Sequence, residues 1–343
     1  MNIYQKNDYI DIRKILSLGL PFNFVVGGRA TGKTYTTLKT CVEDGIKFMF
    51  MRRTQSQADL ISKKEFSPFK SINADNGWNI GVQAVTKYNG AFYDMIEEDG
   101  KDKPQGLPIG YTCALSTIAN MRGFDASELE LLIYDEFIAE KHERPLKNEG
   151  MAFLNAYETI NRNRELKGRP PLQVIALANS NDLANPIFME LGLVRKADAM
   201  QRKRQETSID RARGVGLFIL ADSPISTQKQ NTALYKLTEG SEFAAMSLSN
   251  TFIREDSGII KSRPIVEYRP IVAVGEICIY KHKGGGALYV STHKTGSPPS
   301  YGAGEVERKR FVRAYSWIFA EYMRNNVEFE EILCEVLLTK YFS

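Results

Sequence analysis

Three sets of residues have the types and spacing of phosphate chemistry. Gly27-Gly28-Arg29-Ala30-Thr31-Gly32-Lys33-Thr34 fits G-x-x-x-x-G-K-[ST] at every fixed position and sits between an apolar run and a helical stretch. Its glycines permit backbone angles that aim successive N–H groups at phosphate oxygens, and the helix that follows adds its positive end. Lys33 supplies a point charge for the β- and γ-phosphates, and the Thr34 hydroxyl can coordinate Mg²⁺. Far downstream, Leu131-Leu132-Ile133-Tyr134-Asp135-Glu136 ends an apolar run in two carboxylates. Asp135 is expected to hold magnesium through water, and Glu136 to polarise the attacking water. Asn179, closing the run Val174–Ala178, can offer its amide to the γ-phosphate or to that water.

Several arginines join this set by placement. Arg29 lies inside the phosphate loop, Arg122 in Asn120-Met121-Arg122-Gly123 before the acidic strand, and Arg162 and Arg164 near the end of a helix. Arg53 follows the run Phe48–Met51 and counts among the expected nucleotide contacts. An arginine that reaches a neighbour's γ-phosphate stabilises transition-state charge by about 10³-fold or more. Arginines near helix ends are also commonly just solvated, so composition does not choose among them.

These residues need a scaffold that brings strand ends together. Phe22–Val26, Phe48–Met51, Leu129–Tyr134 and Val174–Ala178 are short apolar runs separated by amphipathic stretches, the sign of strand–helix–strand units and a mainly parallel sheet. All four end in polar residues, and ligands of open α/β sheets bind outside the carboxyl ends of the strands. The turn-rich stretch between Met95 and Pro108 reads as a surface hairpin or loop insertion, and Met151–Leu166 as a helix. Beyond it the pattern changes to β-rich stretches at 265–268, 271–274, 277–280 and 288–291, with a turn at Gly284-Gly285-Gly286 and two closing amphipathic helices.

A chain of 343 residues exceeds the usual size of one core, so two domains are expected. The expected division is an ATPase domain over 1–196, a basic linker over 197–218 and a smaller α/β domain over 219–343. Between Arg195 and Arg213 seven basic residues face three acidic ones, an excess equal to the +4 of the whole chain. That run suits a polyanion-binding hinge or a solvated face. Four widely separated cysteines and three histidines give poor support to a zinc site or a disulfide framework. With no membrane-length apolar run and no signal pattern, the expected setting is the cytosol.

The ordered set Val25–Thr34, Met51-Arg52-Arg53, Tyr134–Ile138, Arg162-Asn163-Arg164-Glu165, Ala178-Asn179-Ser180 and Asn185–Phe188 resembles the DNA-packaging ATPases of phi29-like tailed phages. The resemblance continues through Glu239–Phe243 and Met246–Asn250 to the closing helices. It implies an ASCE-type P-loop NTPase domain followed by an RNase H-like domain without nuclease activity. It also implies a homomeric ring, a pentamer, that acts on the portal of a prohead in the host cytoplasm. ATP and Mg²⁺ are then the expected cofactors. The expected partners are double-stranded DNA, the portal or connector, the prohead and a packaging RNA. Arg162 matches the position of the family's trans-acting arginine finger. Arg122 matches a lysine proposed to act across the subunit interface, with altered donor geometry.

A packaging motor must tolerate any DNA sequence, so grip is expected through phosphates. Lys63, Lys64, Lys70 and the linker residues Arg202, Lys203 and Arg204 are the candidates. A terminase that also cuts DNA, or a nucleotide switch without motor action, are the competing readings. Against cutting, the strands from Ile265 to Ser291 carry Glu267 and Glu276 but no clustered acid set for two metals.

Overall fold

The computed structural model describes residues 2–121, 123–140, 143, 146–220, 228, 231–238, 240–241 and 259–342. Arg122, Glu239 and the stretch Met246–Asn250 lie outside the described residues. Two compact units divide the chain, Met1–Ile253 and Arg254–Ser343.

In the first unit nine strands form one sheet: β1 Phe22–Gly27, β2 Phe48–Arg52, β3 Ile80–Ala84, β4 Gly90–Glu98, β5 Lys101–Ala114, β6 Leu131–Asp135, β7 Gln173–Ala178, β8 Thr207–Asp210 and β9 Val215–Leu220. Their order is β3-β4-β5-β2-β6-β7-β1-β9-β8. The central run from β5 to β9 is parallel throughout, while β3, β4 and β8 attach by antiparallel pairing. Strands buried on both faces need continuous apolar sequence, which is why β1, β2, β6 and β7 read as unbroken runs. The turn-rich stretch after Met95 forms the tip of the β4–β5 hairpin, as expected.

Helices α1 Ile12–Leu16, α2 Lys33–Glu43, α3 Gln55–Ile61, α4 Lys70–Asn76, α5 Glu149–Asn161, α6 Pro186–Glu190, α7 Val194–Arg202 and α8 Ala233–Leu237 complete the described part of this unit. One core joins Val25, Phe50, Ile133, Ile175 and Phe218 of the sheet to Ile12, Ile15, Leu38 and Ile72 of helices α1, α2 and α4. Aromatic packing fixes α5 and α6: Phe24 meets Phe188 at 5.7 Å edge-on, and Tyr134 stacks on Phe153 at 5.7 Å. The helix expected over Met151–Leu166 ends earlier. Arg162 terminates α5 with φ 50° and ψ −139°, and Glu165–Lys167 make a separate single turn.

The basic linker expected over 197–218 is folded structure. α7 buries Ala197 and Met200, and β9 pairs with β1 along its whole length from Phe22↔Val215 to Gly27↔Leu220. The apolar run Val215–Leu220, buried at every residue, needs a sheet to cover it, and the edge beside β1 supplies one. Ile219 and Leu220 therefore belong to the first unit rather than opening the second.

In the second unit β10 Tyr268–Val274, β11 Ile277–His282, β12 Leu288–Ser291, β13 Ser300–Tyr301 and β14 Val327–Phe329 form a sheet in the order β13-β10-β11-β12-β14. Helices α9 Glu305–Met323 and α10 Ile332–Phe342 accompany it, with Phe311 and Ile318 of α9 fully buried. Of the β-rich stretches expected here, 265–267 is instead a single 3₁₀ turn closed by Glu267 N–H on the Pro264 carbonyl. Among the described residues, no helix is long and apolar enough to cross a membrane.

Candidate active site

β1 delivers the chain directly into the phosphate loop, and α2 begins at Lys33. The turn requires left-handed backbone at Ala30 (φ 59°) and Gly32 (φ 80°). A Cβ at Gly32 would also stand 2.7 Å from the Tyr9 ring, so both conformation and space demand glycine there. Lys33 is almost fully buried, and its ammonium donates to the Gly27 carbonyl at 3.0 Å and the Gly28 carbonyl at 2.7 Å. It also reaches Thr31 Oγ1 at 3.3 Å and Asn179 Oδ1 at 3.4 Å. The ammonium is thus held between the phosphate loop and the end of β7.

β6 lies two strands from β1, with β7 between them, and the register Asp135↔Leu177 and Val26↔Ala178 brings the three strand ends level. The Thr34 hydroxyl donates to Asp135 Oδ1 at 2.8 Å, and Arg52 Nη1 donates to Asp135 Oδ2 at 2.7 Å. A second Arg52 nitrogen donates to Glu136 Oε2. Glu136 itself has φ 54°, a strained backbone that turns its side chain out of the strand line. Its carboxyl is pushed above the ordinary range, first by desolvation and then by Asp135, Glu140 and Glu143, with Arg52 opposing. Half of the side-chain surface stays open to solvent.

Arg29, Lys33, Thr34, Asp135, Glu136 and Asn179 line one cavity of about 400 Å³. Arg29 reaches across it to Glu140. A second cavity of about 490 Å³ shares Ala30, Gly32 and Tyr35 with the first and is lined further by Gln5, Tyr9 and Asp75. The hydroxyl of Thr34 and the carboxylate of Asp135 form an oxygen donor pair that suits a hard divalent cation.

Other expected site residues stand elsewhere. Arg53 does not reach the pocket: its side chain is 1% exposed and grips Glu149 through Nε at 2.6 Å and Nη2 at 3.0 Å, with Nη1 on Glu143 at 2.8 Å. A guanidinium buried to this degree needs carboxylate partners more than a ligand can supply, and they hold its proton firmly against desolvation. The residue at the site is its neighbour Arg52. Arg52 ends β2 beside β6, a neighbourhood set by strand order that the sequence around the two arginines does not show. Arg164 is likewise internal, its Nη2 donating to the carbonyls of Ala126 at 2.9 Å, Ser127 at 3.1 Å and Leu129. Arg162 is instead exposed, its side chain donating to the Phe124 carbonyl. Among the proposed DNA contacts, Lys64 pairs with Asp102 at 2.6 Å and Arg202 with Asp198 at 2.6 Å, whereas Lys63, Lys70, Lys203 and Arg204 are exposed without an ion pair among the described residues.

The description "Podovirus DNA encapsidation protein (Gp16)" belongs to the family that matches residues 4–292. The chain is a member of that family. The DNA packaging protein of Bacillus phage phi29 is 25% identical over 264 residues, covering 75% of this chain and 70% of its own. The DNA packaging protein of Bacillus phage B103 is 28% identical over 255 residues, covering 73% and 70%. This encapsidation protein also shares its fold with a chain of the bacteriophage Phi-29 viral genome packaging motor assembly, at TM-score 0.66 and 21% identity over the full length of both.

The second unit of this encapsidation protein offers no cluster of acids for two-metal cleavage among its described residues. Glu267 and Glu276 flank β10 at opposite ends, about 20 Å or more apart for a seven-residue strand. Glu330, Glu331 and Cys334 approach one another, but Glu330 accepts from Ser291 Oγ at 2.8 Å, Thr292 N at 3.1 Å and His293 Nδ1 at 2.9 Å. It serves the loop after β12.

Proposed function

We propose that this encapsidation protein is an ATP-driven motor that moves double-stranded DNA through the portal into a prohead, acting as a homomeric ring. The observation that carries the ATPase reading is the meeting of Lys33, Thr34, Asp135 and Glu136 around one cavity at the ends of three parallel strands. The intervening β7 supports an ASCE-type P-loop domain. The mixed five-stranded sheet with two helices, lacking a paired acid set among its described residues, supports a nuclease-free RNase H-like second unit. Ring stoichiometry of five, and help from a packaging RNA, rest on the family resemblance.

The chemistry follows from the side chains. The phosphate loop N–H groups and Lys33 bind the triphosphate, and the second cavity beyond Gly32 has room for the nucleoside. Magnesium, when bound, neutralises charge on the β- and γ-phosphates, and Thr34 and Asp135 would hold it. Glu136 orients a water and accepts its proton, a task suited to a carboxyl already raised in basicity. Asn179 holds Lys33 in line and presents its amide to the same space. Arg162, exposed at the end of α5, serves the pocket of the next subunit; Arg122 remains a second candidate for that interface. Lys63, Lys70, Lys203 and Arg204 are free to meet DNA phosphates.

The experiment is packaging itself. Full-length protein, proheads and DNA should give nuclease-protected DNA only with ATP and Mg²⁺, and Lys33→Ala should abolish protection. ATP turnover indifferent to DNA and proheads would make the protein a nucleotide switch instead.

A further inference from the structure

An unbroken line of polar contacts leaves the phosphate loop and ends on α5. Arg29 holds Glu140, whose backbone N–H donates to Glu143 Oε2 at 3.1 Å. The same Glu143 oxygen accepts from Arg53 at 2.8 Å, and Arg53 grips Glu149 with two nitrogens. Tyr134, the residue before Asp135 and Glu136, donates its buried hydroxyl to Glu149 Oε1 at 3.3 Å. Glu149 is the first residue of α5 and is 2% exposed.

The helix is held tightly at that end. A Cβ on Gly150 would lie 2.5 Å from Glu190 and 2.6 Å from the Pro186 carbonyl, so the first turn of α5 packs directly against the α6 backbone. Thirteen residues and about 20 Å further along, the helix stops at Arg162. There the following turn is pinned by Arg164 to the carbonyls of 126, 127 and 129, the segment that enters β6. Both ends of α5 are therefore tied to the strand that carries Asp135. A short, stiff helix linked at both ends moves as one body with the segments it is linked to, so a shift of its first turn is carried to its last.

We propose that Glu149 is a positioning residue: through α5 it sets where Arg162 stands according to the state of the chain's own nucleotide pocket. The proposal rests on the reading of Arg162 as trans-acting. When phosphate draws Arg29 away from Glu140, the line Glu140–Glu143–Arg53–Glu149 loses its anchor at the loop. The α5 N-terminus then answers to nucleotide occupancy, and the arginine offered to the neighbouring subunit moves with it. Each subunit would present its arginine only in one state of its own site, which orders hydrolysis around a ring.

The test uses full-length Glu149→Gln, which keeps the volume and loses the charge, in ATP turnover assays with DNA and proheads. Misplacement of a transition-state group by about 1 Å costs on the order of 100-fold, so homomeric Glu149→Gln rings should lose roughly 10- to 100-fold in turnover while nucleotide affinity matches wild type. Loss of affinity would overturn the proposal.

Mixed rings separate its failure from failure of the trans reading. The reference is Arg162→Ala mixed with Glu136→Gln. Regained turnover shows action in trans; background turnover in proven mixed rings ends that reading and this proposal with it. With the reference positive, Glu149→Gln mixed with Glu136→Gln should regain turnover, because an intact pocket meets a well-placed Arg162 from its neighbour. Mixed with Arg162→Ala, it should stay at background. The reverse pattern makes Glu149 a support of its own pocket and overturns the proposal, as does regain in both mixtures or in neither. If Glu149→Gln rings do not assemble, Glu143→Gln, at a partly exposed link of the same line, should give the same pattern with a smaller loss; its absence would be equally decisive.

Discussion

Arg52 and Thr34 hold the two oxygens of Asp135 from opposite sides, Arg52 Nη1 at 2.7 Å from Oδ2 and Thr34 Oγ1 at 2.8 Å from Oδ1. The second guanidinium nitrogen of Arg52 goes to Glu136, so one side chain sets the charge balance of both carboxylates. β2 and β6 are neighbours in the sheet, which makes this bridge a consequence of strand order.

That bridge has a pH consequence. Glu136 must be ionised to accept a proton, and its carboxyl lies above the ordinary carboxylate range of about 4.3. Turnover should therefore fall on the acid side at a higher pH than an unperturbed glutamate would allow. Arg52 opposes the rise and Glu140 contributes to it. The acid limb of kcat should move to higher pH in Arg52→Gln and to lower pH in Glu140→Gln. Shifts of the opposite sign would show that another group titrates.

Binding and turnover should separate cleanly between two substitutions. Lys33→Ala removes a charge that meets phosphates in the ground state, and nucleotide binding should be lost. Glu136→Gln keeps shape and leaves binding intact, while turnover drops by about 10²-fold or more. Equilibrium nucleotide binding measured beside steady-state hydrolysis decides this; near wild-type turnover in Glu136→Gln would remove Glu136 as the base.

Gly32→Ala should damage both stability and binding. Left-handed backbone costs a residue with a Cβ about 1–2 kcal/mol, and the new methyl meets the Tyr9 ring at 2.7 Å. Thermal melting should show a lower midpoint, and the companion change Tyr9→Ala should recover only the part due to the clash.

Arg162 sits at φ 50° and ψ −139°, a region kept almost entirely for glycine. Arg162→Gly should therefore gain about 1–3 kcal/mol of stability at most, seen as a higher melting midpoint, while turnover in assembled rings collapses. Arg162→Ala should lose the turnover without the stability gain. Equal melting midpoints in the two variants would show that no strain is stored there.

DNA contact through the turn after α7 is testable by salt. Lys203→Ala with Arg204→Gly avoids strain at Arg204, whose φ is 49°. If both cations meet phosphates, the slope of log binding constant against log salt should shrink by about 1.8. An unchanged slope would place the grip elsewhere, with Lys63 and Lys70 the next residues to change.

Local pattern alone was enough to read the phosphate loop, the acid strand and Asn179. A loop between a buried strand and a helix, and a carboxylate at the end of an apolar run, depend only on neighbours in the chain. The continuous runs in β1, β2, β6 and β7 likewise announced a parallel sheet, because burial on both faces leaves no polar alternation. What sequence could not decide was which of two adjacent arginines faces the site. Arg52 and Arg53 are equivalent by composition; Arg52, the last residue of β2, meets Asp135 and Arg53, the next residue, grips Glu149, and only strand order shows what waits on each side. The division of the chain was misread for the same reason. The charges between Arg195 and Arg213 looked like a linker, but β9 just beyond them is claimed by β1, whose free edge lies almost two hundred residues upstream. Pairing across such a separation leaves no mark in the local pattern and is settled by the tertiary fold, where an apolar strand finds the sheet edge that can satisfy its backbone and cover both of its faces.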